Sequence, residues 1–162
     1  MNCVDRALVD EQLDKLLTEA ENLIPEEDLP DLPYMADVPD VHNWYEFEGL
    51  LWDLGEKIRL LVFENNIKFN SNQVDRIINI CLDKKAKRGR QSFVMLLGKK
   101  CYCNYSEQII SILNDDDVDG HVIDTIYKMQ AGQYVDQITP FLNHTKAWIR
   151  NKAKKYIENY QS

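Results

Sequence analysis

The chain has 162 residues, of which 44% are hydrophobic and 10% aromatic, and its formal net charge is −8. This length suits one domain with a substantial core, and the apolar content argues against disorder. No apolar run approaches the roughly 20 residues that span a bilayer, and the first residues lack the basic and apolar regions of a signal peptide. The cysteines lack the spacing of a disulfide framework; they are Cys3, Cys81, Cys101 and Cys103. We therefore expect one domain, residues 1–162, in a reducing cytoplasm.

The acidic charge is concentrated in the first third of the chain. Residues 1–56 contain 16 Asp or Glu and two Lys or Arg, whereas residues 57–162 contain 11 and 17. The stretch from Leu16 to Glu56 contains 12 acids and no Lys or Arg. Such an asymmetry indicates an electrostatic partner.

Helical periodicity begins near the N-terminus. Residues 4–24 place apolar side chains along one stripe with acids opposite, which predicts a helix that Pro25 ends. Residues 25–41 are acidic and rich in proline, so we expect an irregular linker there. A second helix is predicted within the segment 42–71, over about residues 42–64.

The rest of the chain is also predicted to be helical, since no alternating strand pattern is apparent. Asn70 and Ser71 suit the N-terminal cap of the next helix. The further predicted helices cover about residues 72–85, 88–99, 105–114, 117–130, 132–143 and 145–160. The sequence therefore predicts an all-α fold of about eight helices.

Residues 72–160 repeat a pattern of two short amphipathic helices three times. Three apolar positions recur in the first helix of each pair: Ile78, Cys81 and Leu82; Ile109, Ile112 and Leu113; Ile138, Phe141 and Leu142. Two positions recur in the second helix: Phe93 and Leu97; Val122 and Ile126; Ala153 and Ile157. Because one helix pair cannot bury its apolar faces alone, such units are expected to stack into a curved superhelix.

The last unit, Tyr134–Tyr160, resembles a HEAT repeat. The residues that carry the resemblance are Pro140 within the first helix, Leu142 and Asn143 at its end, and Ile149, Arg150, Ala153 and Ile157 in the second helix. The arginine position is occupied by Arg90 and by Asp119 in the two earlier units. The resemblance implies a right-handed α-α superhelix of stacked antiparallel helix pairs, which commonly binds proteins through a curved face. A fold alone does not define a function.

The stretch Asp115–Gly120 contains D-x-D-x-D-G, the first half of a calcium-binding EF-hand loop. Such a loop also needs a bidentate Glu at its twelfth position, where this chain has Ile126. The repeat register makes Val122 and Ile126 core residues, and the aspartates suit a cap for a helix that begins at about residue 118. We interpret the stretch as an acidic connector and predict no metal site.

No enzyme motif is apparent in the sequence. It has no glycine-rich nucleotide loop, P-loop, His-Glu-x-x-His or nucleophile elbow, and His42, His121 and His144 lie outside any recognisable motif. Cys101 and Cys103 form C-x-C without the second pair that structural zinc favours. We expect no catalysis and no cofactor.

Two basic clusters offer an alternative, which is direct binding of nucleic acid. They comprise Lys84, Lys85, Lys87, Arg88 and Arg90 in the middle of the chain, and Lys146, Arg150, Lys152, Lys154 and Lys155 at its end. The negative net charge and the few interleaved aromatic residues disfavour nucleic acid as the partner. The other interpretation is a pair of solvated helix faces, paired in part with the acidic N-terminal half.

The acidic segment Leu16–Glu56 is the strongest functional signal, because its acids alternate with aromatic and apolar residues. Carboxylates steer a basic partner, and aromatic side chains anchor interfaces. The predicted partner-binding residues are Glu26, Glu27, Asp28, Asp31, Tyr34, Asp37, Asp40, Trp44, Tyr45, Glu46 and Glu48, together with Asp115, Asp116, Asp117 and Asp119 of the later acidic turn.

A small acidic chain without enzyme motifs or a targeting signal resembles bacterial immunity proteins and antitoxins. That resemblance implies a non-enzymatic protein that neutralises a cationic, nuclease-type toxin by covering its active site, with carboxylates in place of nucleic-acid phosphates. Two alternatives stay open. One is an adaptor or assembly scaffold that holds a peptide or helix in a concave groove, and the other is a nucleic-acid-binding module that uses the basic C-terminal helices. No membrane partner is expected.

Overall fold

The computed structural model describes residues 5–161. These residues form eight α-helices and four 3-10 helices, and their only strand-like pairing is an isolated antiparallel bridge between Tyr34 and His42. The predicted all-α class is confirmed. The chain divides into two compact units, one ending at Phe93 and the other beginning at Val94. None of the described helices is long and apolar enough to cross a membrane.

The first unit contains three long helices and a 3-10 segment. They are α1, Arg6–Leu23; α2, Glu46–Glu64; α3, Ser71–Leu82; and the 3-10 segment Lys84–Arg90, which leads into α4, Gln91–Leu96, at the boundary of the unit. The predicted helix 4–24 is α1, although Val4 and Cys3 lie outside the described residues. The predicted helix 42–64 begins only at Glu46, because residues 42 and 43 make hydrogen bonds that close the preceding loop.

Local sequence explains the start of α3 and the break after it. Asn70 is the N-cap of α3: its side chain accepts the N–H of Gln73, and the Gln73 side chain accepts the N–H of Asn70 in return. The predicted helix 88–99 is shorter in the structure, because residues 88–90 belong to the 3-10 segment and α4 ends at Leu96. Lys87, just before this range, has φ 47° and ψ −136°, outside the helical region. The backbone therefore turns within Lys84–Arg90 before α4 begins.

The core of the first unit is formed by the apolar stripes of α1, α2 and α3, with Phe93 of α4. Its fully buried residues include Leu13, Leu17, Leu51, Ile58, Ile77, Cys81 and Phe93. Complete burial raises the pKa of the Cys81 thiol to about 12. Cys81 is therefore a neutral core residue, in agreement with its place in the repeated pattern.

The second unit consists of shorter helices. Its elements are the 3-10 helix Lys100–Tyr105; α5, Ser106–Ile110; α6, Asp119–Lys128; the 3-10 helix Gly132–Tyr134; α7, Val135–Ile138; the 3-10 helix Thr139–Asn143; and α8, Ala147–Tyr160. The predicted helix 132–143 is broken into three pieces. Pro140 contributes here, since it lacks an N–H and lies at the start of the last 3-10 piece.

The repeated apolar positions of the second unit form its core. Ile109, Val122, Ile126, Ile138 and Ala153 are all fully buried, and α6 packs against both α5 and α8. The prediction that Val122 and Ile126 are core residues is confirmed. Phe141 and Leu142 are only half-buried, so the first helix of the last pair contributes less to the core than the pattern predicts.

Candidate protein-binding loop

Residues 25–45, which we call the acidic loop, join α1 to α2 and form a closed, hydrogen-bonded structure. The Met35 N–H donates to Val41 O at 2.7 Å, and the Asn43 N–H donates to Pro33 O at 3.0 Å. At the tip, Asp40 has φ 64°, a left-handed conformation that Asp tolerates better than most residues. The segment has no helix or extended strand, as predicted, but its backbone is held in place at several points.

Aromatic residues close the neck of the acidic loop. The rings of Tyr34 and His42 stack with centroids 4.1 Å apart. His42 Nδ1 lies 2.8 Å from Leu32 O, which requires the proton on Nδ1, since a carbonyl oxygen only accepts. The Tyr45 hydroxyl donates to Pro30 O at 2.6 Å. These contacts bring the two ends of the loop together just before α2.

Lys87 binds the underside of the acidic loop. Its Nζ lies 3.1 Å from Asp31 Oδ1 and 3.8 Å from Asp28 Oδ1, while its own side chain is only 7% exposed. The hydrogen bond from Lys87 lowers the pKa of Asp31, and this effect exceeds the opposite effect of burial. Lys87 also has the unusual backbone conformation described above, and such strain persists only where surrounding contacts enforce it.

Glu48 fixes the junction between the acidic loop and α2. Its Oε2 accepts the Tyr45 N–H at 2.7 Å, and its Oε1 accepts the Arg88 N–H at 3.0 Å. The Glu48 side chain is 1% exposed and lies 3.9 Å from the Arg88 guanidinium. Glu48 was predicted to contact a partner. Its carboxylate is buried and bonded to the Tyr45 and Arg88 N–H groups, so it cannot contact a partner in this conformation.

The outer face of the acidic loop combines apolar and acidic side chains. Its exposed apolar residues are Tyr34, Met35, Val38, Val41 and Trp44, with Tyr34 at 56%. The exposed acids beside them are Glu26, Glu27, Asp37, Asp40 and Glu46. Asp28 and Asp31 are also exposed, although both interact with Lys87, and Tyr45 is half-buried. Clustered apolar residues rimmed by polar ones are typical of protein-binding surfaces.

The acidic turn at residues 115–119 belongs to the second unit and is shaped by its own hydrogen bonds. Asp115 Oδ1 accepts the Asp117 N–H at 3.0 Å, and Asp116 is exposed. Asp119 is buried: one oxygen accepts the Gly120 N–H and the other lies 3.1 Å from His144 Nε2. Burial raises the pKa of Asp119, with the Gly120 and His144 contacts acting in the opposite direction.

This arrangement corrects the predicted helix cap and changes the role of one predicted contact residue. The N-cap of α6 is Val118, and no side chain caps it; Asp119 is instead the first helical residue. Because Asp119 is 4% exposed, it cannot contact a partner directly in this conformation. Across residues 5–161, no three His, Cys, Asp or Glu side chains lie close enough together to hold a metal ion.

Several residues of the two basic clusters are engaged within their own units. Lys85 pairs with Asp83, and Arg90 is fully buried and donates to the carbonyls of Cys81 and Lys87. In the second unit Lys152 lies 2.8 Å from Asp124, which Lys128 also contacts at 2.8 Å. The remaining internal contacts involve Lys154 with Glu158, Lys155 over the Tyr127 ring, and Arg150 with His144 O and Thr145 O.

Sequence reasoning missed the importance of Lys87 and Arg88 for the acidic loop. It allowed that the basic run pairs in part with the acidic half, but it did not identify which residues meet. Alternating aromatic and acidic residues did point to Tyr34, Asp37 and Trp44. Nothing in the sequence around Glu48 distinguishes it, as a buried residue, from the exposed acids of the same segment.

Comparison of the chain with models of known protein families, with curated proteins and with solved structures finds no match.

Proposed function

We propose that this protein acts by stoichiometric binding of a basic protein surface through the acidic loop. The observation that supports this most is the outer face of that loop, where Tyr34 and Trp44 stand exposed beside Asp37 and Asp40. Buried hydrogen bonds and ion pairs hold the loop base in place, so little ordering entropy would be lost on binding. Carboxylates around aromatic anchors give fast, salt-sensitive association with a cationic partner.

The specific role that we propose is that of an immunity protein for a cationic, nuclease-type bacterial toxin. A nuclease binds phosphates with basic side chains, and a surface of carboxylates with adjacent aromatic rings can occupy the same site. The acidic loop exposes both kinds of group. Inhibition by such a mechanism requires no catalytic residue on the inhibitor.

We also propose that the helix pairs after residue 71 are degenerate HEAT-like repeats. In support, Arg90 and Arg150, which share one position in the repeated pattern, have similar contacts. Arg90 donates to carbonyls of the segment before α4, and Arg150 donates to carbonyls of the turn before α8. In both places the arginine side chain donates to backbone carbonyls that precede it in the chain.

The binding proposal can be tested with charge-matched variants. Asp37→Asn combined with Asp40→Asn removes two acids from the acidic loop, and Asn also tolerates the left-handed conformation of residue 40. Glu19→Gln combined with Asp75→Asn removes two exposed acids from α1 and α3. Both double variants have the same net charge, so a difference between them reports the position of the charge.

The measurement is inhibition of a purified nuclease domain encoded beside this gene, titrated with each variant at low and high salt. We expect a one-to-one endpoint for the wild type and for the Glu19/Asp75 control. For the loop variant we expect roughly tenfold weaker binding or more. Tyr34→Ser with Trp44→Ser should weaken binding further. Equal inhibition by both charge variants, or affinity that does not change with ionic strength, would contradict the proposal.

A further inference from the structure

The outward face of α2 carries a regular stripe of exposed residues. Steps of four and three residues alternate along it, as in a coiled-coil seam, but only two of the six positions are apolar: Glu46, Leu50, Asp53, Lys57, Leu60 and Glu64. Leu50 is 47% exposed and Leu60 45%. The core of the first unit is served by the opposite face, which includes Leu51, Leu54, Ile58 and Val62. The exposed stripe therefore does not contribute to the core of the first unit.

We propose that this stripe binds the same stripe of a second copy of the chain, antiparallel, about a two-fold axis near residue 55. The stripe is self-complementary in that orientation. Leu50 lies opposite Leu60 of the second copy, and Asp53 lies opposite Lys57 of the second copy; the two-fold axis produces each pair twice. In a parallel arrangement Asp53 would face Asp53 and Lys57 would face Lys57, so the charges select the antiparallel one.

The charges at the centre of the stripe are available for such pairing. Asp53 and Lys57 are both exposed, and neither takes part in an ion pair among the residues that the structure describes. They are four residues apart on one helix, yet they do not pair with each other, unlike Glu56 and Arg59 at 2.9 Å. Opposite a second copy, each would gain a partner of opposite charge.

Phe63 and Gly49 lie on α2 beside the stripe. Phe63 is 76% exposed, more than any other large apolar residue in the described chain. At Gly49, no heavy atom lies within 4 Å of the position that a Cβ would occupy. Glycine inside a helix is unfavourable, so a position with open space would ordinarily favour alanine. In the antiparallel arrangement Phe63 lies opposite Phe47 of the second copy, and Gly49 of that copy is two residues further along, about 3 Å away, where the missing side chain leaves room beside the ring.

The like charges along the stripe limit the strength of the association. Glu46 faces Glu64 of the second copy at the two exposed ends, where water screens the repulsion. Glu56 approaches its own symmetry mate near the axis, but Arg59 neutralises it within each chain. We therefore expect a weak dimer, with a dissociation constant on the order of 10 µM or higher.

The antiparallel arrangement has a consequence for binding. The acidic loop directly precedes α2, so the two loops would lie at opposite ends of the paired helices, about 28 Å apart for a helix of 19 residues. Each loop could then bind one partner molecule, giving a two-to-two complex. This consequence rests on the proposed function, whereas the self-association does not.

Charge reversal tests the dimer directly. Sedimentation equilibrium of the full chain would be measured at protein concentrations from about 5 to 500 µM. Asp53→Lys and Lys57→Asp each place like charges opposite each other, and each should weaken association roughly tenfold or more. The double variant D53K/K57D restores both pairs and should recover the wild-type constant within about threefold. An equimolar mixture of the two single variants should associate as well, because each supplies the charge that the other lacks.

Asp75→Lys, on the exposed surface of α3, changes the net charge as Asp53→Lys does and should leave association unchanged. Circular dichroism would confirm that each variant stays folded. A wild-type chain that is monomeric throughout the concentration range would overturn the proposal. So would a dimer that both single variants leave intact, or one that the double variant fails to restore. None of these measurements involves a toxin, so failure here leaves the proposed function standing, and the reverse also holds.

Discussion

The two units of the chain use charged residues in different ways. The first, ending at Phe93, contains 19 acids and 11 Lys or Arg, whereas the second contains eight of each. The whole net charge of −8 therefore belongs to the first unit. In the second unit, acidic and basic side chains form ion pairs with each other; for example, Asp124 lies 2.8 Å from both Lys128 and Lys152. In the first unit the acids outnumber the Lys and Arg residues, and many of the exposed acids lie on the acidic loop.

The acids of the first unit divide into residues that are buried or paired and residues that remain exposed. Lys87, Arg88 and Glu48 are placed beneath the loop, where they fix its base while the outer acids remain at the surface. Some ion pairs of the second unit lie within one helix, such as Asp124 with Lys128 in α6, and others link two elements, such as Asp124 with Lys152 of α8. The exposed acids of the first unit are the basis of the proposed binding to a basic partner.

The largest expected effect comes from the arginine position that the two units share. Arg90→Met should lower the free energy of unfolding by about 3 kcal/mol, because the buried carbonyls of Cys81 and Lys87 lose their donor. Arg150→Met should lower it by only about 1 kcal/mol, since that side chain is half-buried and water can replace it. Urea unfolding followed by circular dichroism would measure both.

Arg59→Met is the matched control for these variants. Arg59 is exposed and contacts only Glu56 within α2, so its loss should change the unfolding free energy by less than about 0.5 kcal/mol. Equal losses for Arg90→Met and Arg150→Met would show that the two arginines do not differ as their burial indicates.

A somewhat smaller effect is expected at the base of the acidic loop. Glu48→Ala removes the acceptor for the N–H groups of Tyr45 and Arg88 and should destabilise the protein by about 2 kcal/mol. The acidic loop should also become more sensitive to proteolysis, which limited digestion with mass spectrometry would locate between residues 25 and 45. Glu46→Ala, two residues earlier and exposed, should change neither property by much. Unchanged proteolysis of the Glu48 variant would argue against its anchoring role.

Patterns that depend on local periodicity were predictable from the sequence. The helices of the first unit, the N-cap at Asn70 and the buried positions Val122 and Ile126 all follow from the spacing of apolar residues and from capping chemistry. Helix ends were less predictable. The start of α2 depends on hydrogen bonds between residues ten apart in the loop, such as His42 with Leu32, and periodicity does not report such pairs.

The candidate site was predictable in composition but not in geometry. Alternation of acids with Tyr34 and Trp44 identified the segment, yet it could not separate Glu48, which is buried, from Glu46, which is exposed. That distinction arises from contacts with Arg88, 40 residues away in the chain. The backbone conformation of Lys87 is a further example, since a lysine with positive φ has no signature in sequence.

The smallest effects concern the dependence of stability on pH, which should also distinguish the two units. Burial alone would raise the pKa of Asp124, but hydrogen bonds from Lys128 and Lys152 outweigh it and lower the pKa. The contribution of Asp124 to stability is therefore present above its unfolded pKa, near 3.9, and is lost as pH falls through the folded value. Asp124→Asn should destabilise the protein by about 1 kcal/mol at pH 7 and by much less at about pH 2.5.

Asp31→Asn in the acidic loop should act in the same direction but more weakly. The Lys87 hydrogen bond lowers the pKa of Asp31, so its contribution is also lost in acid. The Asp31 side chain is 54% exposed, compared with 15% for Asp124, so water and salt screen the pair and we expect about 0.5 kcal/mol or less at pH 7. Urea midpoints between pH 2.5 and 7, with and without about 0.5 M salt, would measure both variants. If Asp31→Asn were the more destabilising change, or if its effect persisted in acid, the loop would be held mainly by contacts other than this ion pair.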